Sequence, residues 1–229
     1  MAGLTDQAGG MKVSGGAAIE KAHQAWQESM SRQLDVLRAE VQAKHPGRLV
    51  VDCGATLVNQ EIQLSYWGQL IGITCSNLKA RKISDGSECS IYDEGMLLYY
   101  LREADGTAMA DRWIGYRELP GGNFYSQAFQ GYSGDRLART YGEKPEAYIK
   151  AAGILGGSSL SALPGVAFAF LPLPRIRLAS ILYLGDEEFP ARASVLFDAA
   201  ASHYMTTDGL ALLGAGLVGR LIQAGKAGL

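Results

Sequence analysis

Residues 165–198 read GVAFAFLPLPRIRLASILYLGDEEFPARASVLFD, and this stretch decides the fold. Val166, Phe168 and Phe170 alternate with Ala167, Ala169 and Leu171, the two-residue period of a strand shielded on both faces. Pro172 and Pro174 are expected to end that strand, because proline has no N–H to give a ladder. A second apolar run covers Ile176 to Leu184 and a third Ala193 to Phe197, with the polar turn Gly185-Asp186-Glu187-Glu188 between them. Successive strands joined by short polar loops form an antiparallel meander. Phe168, Ile181 and Val195 are therefore expected in the core.

Upstream, Ile19, His23, Trp26, Met30, Leu34, Leu37 and Val41 recur at steps of three and four, which predicts a long amphipathic helix. His45-Pro46-Gly47 ends it. Its stripe suits packing on the sheet, and equally a homodimer through this helix. Met1 to Gly16 is polar and Gly-rich and is expected to be a disordered tail, leaving 17–229 as one domain. Leu49 to Cys53 reads as a strand, and Glu61 to Tyr66 with Gln69 to Cys75 as a hairpin across Trp67-Gly68. Residues 76–90 read as a loop whose Lys79, Arg81 and Lys82 are solvated. Ile91 to Arg102 resumes helical spacing, and Trp113 to Leu119 reads as a strand. Helices are expected near 123–130, 134–141 and 145–154, and a last one, capped by Thr206 or Thr207, runs to about Gln223. The fold class is α+β: a long N-terminal helix, then a mainly antiparallel sheet with a C-terminal three-strand meander, and helices packed on it.

The formal net charge of -2 gives no basic surface for nucleic acid. Neither a signal peptide nor a membrane span is apparent, which makes a cytoplasmic protein the expectation. Cys53, Cys75 and Cys89 have no CxxC spacing and are expected to be free thiols, with no metal site; a shared metal would need His or carboxylate as a fourth ligand. Gly214-Ala215-Gly216-Leu217-Val218-Gly219 matches GxGxxG, but the chain ends ten residues later, with no room for a dinucleotide-binding unit. A terminal helix using small residues for close packing is the better reading. His203 would matter only if the fold brought acids or thiols to it.

Asp186, Glu187 and Glu188 are the most specific polar feature. Crowded carboxylates could raise one another's pKa for acid–base work or hold a hard cation. They could equally pair with Arg175, Arg177 or Arg192, and at least one buried pair of that kind is expected.

The runs LLYYLREADG (97–106), WIGYRELPGG (113–122), YSQAF (125–129), residues 171–198 and TTDGLALL (206–213) resemble an uncharacterised prokaryotic family of domains of unknown function, common in strict anaerobes. Some relatives are joined to a small four-cysteine iron–sulfur domain of the corrinoid-protein type, which this sequence lacks. The resemblance implies a context of anaerobic one-carbon, corrinoid or iron–sulfur metabolism and assigns no catalytic residue.

Two functions are open. In the first, the protein is a non-catalytic binding or accessory module for a corrinoid or other tetrapyrrole, or for an iron–sulfur or corrinoid partner protein. Its candidate residues are Trp113, Tyr116, Phe124 and Tyr125, which could line an apolar pocket, with Arg175, Arg177, Asp186, Glu187 and Glu188. In the second, it is a small-molecule enzyme that uses the acidic turn with Arg175, Arg177 or Tyr183. No nucleophile–base pair is evident for that reading.

Overall fold

Leu34, Leu37 and Val41 are buried at steps of three and four, as the apolar stripe requires, and residues 32–42 form helix α1. The structure is a computed structural model that describes residues 32–227. The N-terminal tail, and the half of the long helix expected before residue 32, lie outside the described residues. Helix α1 lies along α3 (Ile91–Glu103), with the Arg38 guanidinium on the buried Glu94 carboxylate and Lys44 on the carbonyls of Leu101 and Arg102.

Leu49 to Cys53, expected as a strand, is helical instead, within α2 (Pro46–Cys53). A five-residue apolar run fits either element, and the flanking residues decide. His45 Nδ1 accepts the Gly47 N–H at 3.2 Å, Pro46 opens the first turn, and Gly54 closes the helix at φ 67°. Strands β1 (Thr56–Val58), β2 (Glu61–Tyr66), β3 (Gln69–Thr74) and β4 (Ala80–Lys82) then make an antiparallel meander. Strand β4 falls in the stretch expected to be loop; it is three residues long, too short for any periodicity.

The second sheet has the order β5-β9-β8-β7-β6, antiparallel throughout. Its members are β5 (Trp113–Gly115), β6 (Ser158–Ser159), β7 (Val166–Leu173), β8 (Ile176–Tyr183) and β9 (Arg192–Asp198). The meander of residues 166–198 is its centre, and Phe168, Ile181 and Val195 are buried. The strand expected over 113–119 stops at Gly115. There the Glu118 carboxylate takes the Gly115 N–H at 2.7 Å and winds Tyr116–Glu118 into a 3-10 turn.

Pro172 does not end β7. The register sum shifts by one between Phe170↔Leu178 and Leu173↔Ile176, so Leu171 and Pro172 together oppose Arg177. That is a β-bulge, and it places the residue without an N–H where the ladder is already broken. The bulge turns the Pro172 carbonyl out of its own sheet, and it accepts the Trp67 N–H from the first sheet at 2.9 Å.

The remaining helices, α4 (Ser126–Tyr132), α5 (Gly134–Tyr141), α6 (Pro145–Ile154) and α7 (Thr207–Ala227), cover the second sheet. Tyr148 of α6 donates to the Ser180 carbonyl on β8 at 2.9 Å, and Tyr141 of α5 to the Leu221 carbonyl on α7 at 2.6 Å. Among the described residues no helix is long and apolar enough to cross a membrane. One continuous apolar cluster includes Ile62, Ile71, Leu97, Tyr100, Leu178 and Leu217 and so spans both sheets.

At its centre is the Tyr100 hydroxyl. It donates to the Cys53 carbonyl at 2.6 Å and accepts the Arg175 N–H, from the β7–β8 turn, at 3.1 Å. Burial pushes its pKa up, so the phenol stays a donor. Replacing Tyr100 by Phe leaves a buried carbonyl without its partner and removes the acceptor of a part-buried N–H. We expect a loss of about 1–3 kcal/mol, read as a lower urea midpoint at unchanged m-value. An unchanged midpoint would mean the two halves do not rely on this contact.

Candidate functional site

The β2–β3 connection is a two-residue turn, Trp67 and Gly68, with φ of 50° and 77°. Positive φ at both positions gives the twist a tight hairpin needs, and Gly68 takes it without cost. Trp67 does not: a side chain in the left-handed region costs about 1–3 kcal/mol and persists only where the surroundings impose it. Here they do. The Trp67 N–H is tied to Pro172, the indole meets the Tyr66 ring edge-on at 6.4 Å, and the Arg220 guanidinium lies 4.4 Å above the ring. Helix α7 passes beside the indole at Gly216, where a Cβ would stand 3.8 Å from it, an ordinary contact distance.

This strained turn forms one wall of a cleft of about 750 Å³. Lys82 at the end of β4, Asp93 in the first turn of α3, and Arg220 of α7 supply its charges. Each oxygen of the Asp93 carboxylate accepts a hydroxyl: Oδ1 from Tyr66 at 2.9 Å and Oδ2 from Ser90 at 2.7 Å. Arg220 is 3.9 Å from Asp93 Oδ1, too far for a hydrogen bond. Among the described residues, neither the Arg220 donors nor the Lys82 ammonium makes a hydrogen bond. Cys89 also lines the cleft. Burial, and then the Asp93 charge, push its thiol pKa up, so it is held as the unreactive thiol.

A second concavity, of about 850 Å³, lies between the acidic turn and the end of α5. Asp186 shapes the turn: its Oδ1 accepts the N–H of Glu188 at 2.9 Å and of Phe189 at 2.7 Å. Asp186, Glu187 and Glu188 are all exposed, and the buried pair expected with Arg175, Arg177 or Arg192 does not form. For Arg192, which lines the same concavity as Asp186, no ion pair to the turn forms among the described residues; for Arg175 and Arg177 the reason is length. Arg175 and Arg177 stand at one end of β8 and the acids follow the other, about 20 Å away along an eight-residue strand. Phe189, which follows the acidic turn, is 60% exposed, whereas Phe197 on β9 is buried.

Of the other candidates, the fold brings Arg177 and Trp113 together. The guanidinium lies 5.1 Å over the indole and pairs with Asp111. Arg175 serves the Tyr100 contact through its backbone, and its Nε is buried without a partner. Tyr116 is core, stacked 4.3 Å from Phe129, while Phe124 is 87% and Tyr125 62% exposed. These aromatics therefore do not converge on one apolar pocket. The glycines of 214–219 lie inside α7, where a Cβ at Gly214 would stand 2.8 Å from Phe129; they permit packing and form no phosphate loop.

His203 does gain an acid. Its Nδ1 lies 2.7 Å from Asp105 Oδ2 and 3.2 Å from Thr107 Oγ1, on an open surface. Partial desolvation pushes the Asp105 carboxyl up, but His203 and Thr107 outweigh it and hold the group at about 2. Cys53, Cys75 and Cys89 are free, and burial raises Cys53 to about 11. Among the described residues no three His, Cys, Asp or Glu side chains are grouped to hold a metal ion.

Sequence reasoning missed the Trp67 cleft. The signal available was Trp-Gly at a hairpin turn, where Asn-Gly is the usual pair, and a single arginine inside the otherwise apolar 209–222 run.

For the acidic turn, Glu187→Gln and Glu188→Gln should each leave stability within about 0.5 kcal/mol of the parent. Asp186→Ala, which removes the one oxygen that accepts two N–H groups, should cost about 1 kcal/mol in thermal melts. A much larger loss on neutralising Glu187 or Glu188 would restore a buried pair.

No curated protein and no solved structure matches this chain. A family model described as a domain of unknown function, DUF3786, matches residues 46–220, from the first turn of α2 to the cleft-lining Arg220 of α7. The chain belongs to the DUF3786 family.

Proposed function

We propose that the protein is a non-catalytic binding or accessory module that holds a cofactor-sized ligand in the Trp67 cleft. The carrying observation is the strained Trp67 turn, pinned to the bulge in β7 and facing a cleft with unengaged cationic donors. Strain of this kind recurs at ligand clamps. The cleft holds no nucleophile–base pair: its thiol is kept protonated and its carboxylate is occupied by two hydroxyls. That weighs against an enzyme built there. The enzyme built on Asp186, Glu187 and Glu188 loses Arg175 and Arg177 as partners, and Asp186 Oδ1 is committed to backbone N–H groups.

We take the ligand to be a corrinoid or another tetrapyrrole, or an iron–sulfur or corrinoid partner that presents one, because of the resemblance to a family common in anaerobes. A cleft of about 750 Å³ is of suitable size for part of such a ring system. The test is purification without oxygen, visible absorbance, and equilibrium dialysis against hydroxocobalamin and haem. A retained chromophore, or uptake of either compound that Trp67→Ala weakens about tenfold, is expected. A colourless protein that takes up neither would overturn the proposal.

A further inference from the structure

We infer that the Trp67 cleft selects a flat ligand carrying an oxyanion, a carboxylate or phosphate set at the edge of a ring system. This rests on the binding reading above and adds the ligand's charge and shape. Three side chains face the cleft with ionic charge, and their states differ. Asp93 has both oxygens occupied, by Tyr66 and by Ser90, and lies in the first turn of α3, where a carboxylate is favoured. Its single negative charge is set against the two cations of the lining, so it gives a cationic ligand no net attraction. Burial, and then Asp93, push the Tyr66 hydroxyl pKa up, so that phenol remains a donor to Asp93.

Arg220 is placed and unspent. Its position is fixed by the indole beneath it and by Asp93 at 3.9 Å, yet its forked donors have no hydrogen-bond acceptor among the described residues. An arginine held flat on an aromatic ring keeps its edge free to grip a carboxylate or phosphate through two parallel N–H bonds. Lys82 adds a second unengaged cation from β4. Arg220 is ion-paired to Asp93 at 3.9 Å and Lys82 also feels Asp85, yet the lining charges are two cations against one carboxylate, so the balance at the cleft wall is positive. The walls give the shape: Trp67, Ile154 and Leu155 offer apolar surface, while Gln69 and Gln223 offer amides. A ring lying along these surfaces, with its anionic edge at Arg220 and Lys82, satisfies each group at once. A neutral ring would leave the cations as they are, and a cationic one would be repelled.

The test uses a matched pair of fluorescent probes, 1-anilinonaphthalene-8-sulfonate and its uncharged parent N-phenyl-1-naphthylamine, on the whole chain. The anionic probe should bind at one site about tenfold more tightly than the neutral one. Arg220→Gln and Lys82→Gln should each erase most of that preference without changing the affinity for the neutral probe. Phe124→Ala, on the exposed aromatic surface away from the cleft, should change neither, and far-ultraviolet circular dichroism should confirm that the variants are folded. Equal affinities for the two probes, both lost in Trp67→Ala, would overturn the anion preference while leaving a binding cleft. Binding of either probe that is indifferent to Trp67, Arg220 and Lys82, or no binding at all, would overturn both.

Discussion

The Tyr100 hydroxyl sits where the end of α2, the middle of α3 and the β7–β8 turn meet, and it serves two of them at once. A buried carbonyl and an adjacent N–H need partners, and water has little access to supply one. The phenol meets both needs with a single oxygen, its ring stacked 5.8 Å from Tyr204. A few residues along β7, the Pro172 carbonyl repeats the pattern by accepting the Trp67 N–H. The first contact ties α2 and α3 to the second sheet and the second ties the first sheet to it, although the two sheets share no ladder. Everything that lies between the sheets, the cleft included, inherits its geometry from them.

The bulge shows how a local defect becomes a joint. Proline inside a strand removes a ladder donor, and an extra residue in β7 absorbs that loss. The same kink aims a carbonyl at the neighbouring sheet. The tie helps hold Trp67 in a backbone conformation it would otherwise avoid, and the strain is offset by the hydrogen bond and by the cation over the ring. Sequence, packing and site are thus linked through Pro172: the residue that looks like a strand terminator is what fixes the cleft wall.

Much of the second sheet was legible because its strands are long and apolar, so period two survives over seven or eight residues. Helices α3, α5 and α6 carried readable boundaries, with Ser90 as a cap and Pro145 at a first turn. Short elements were not legible. Strand β4 and helix α2 are decided by neighbours and caps rather than by their own residues. The missing pair between the acidic turn and Arg175 or Arg177 could have been excluded from strand length alone. The Trp67 cleft is a different case. Lys82, Asp93 and Arg220 are far apart in sequence and meet only because the two sheets are pinned together, so no local pattern carries it.

The most direct measurement is native-state amide hydrogen exchange at Trp67 and Arg175, the two N–H groups bonded across the joint. If the sheets form one cooperative unit with a rigid cleft wall, both amides should exchange only through global opening, as slowly as the core strand amide of Leu178. Exchange at either position that is orders of magnitude faster, while β8 stays protected, would contradict this: the sheets would open independently, and the cleft would have no fixed wall.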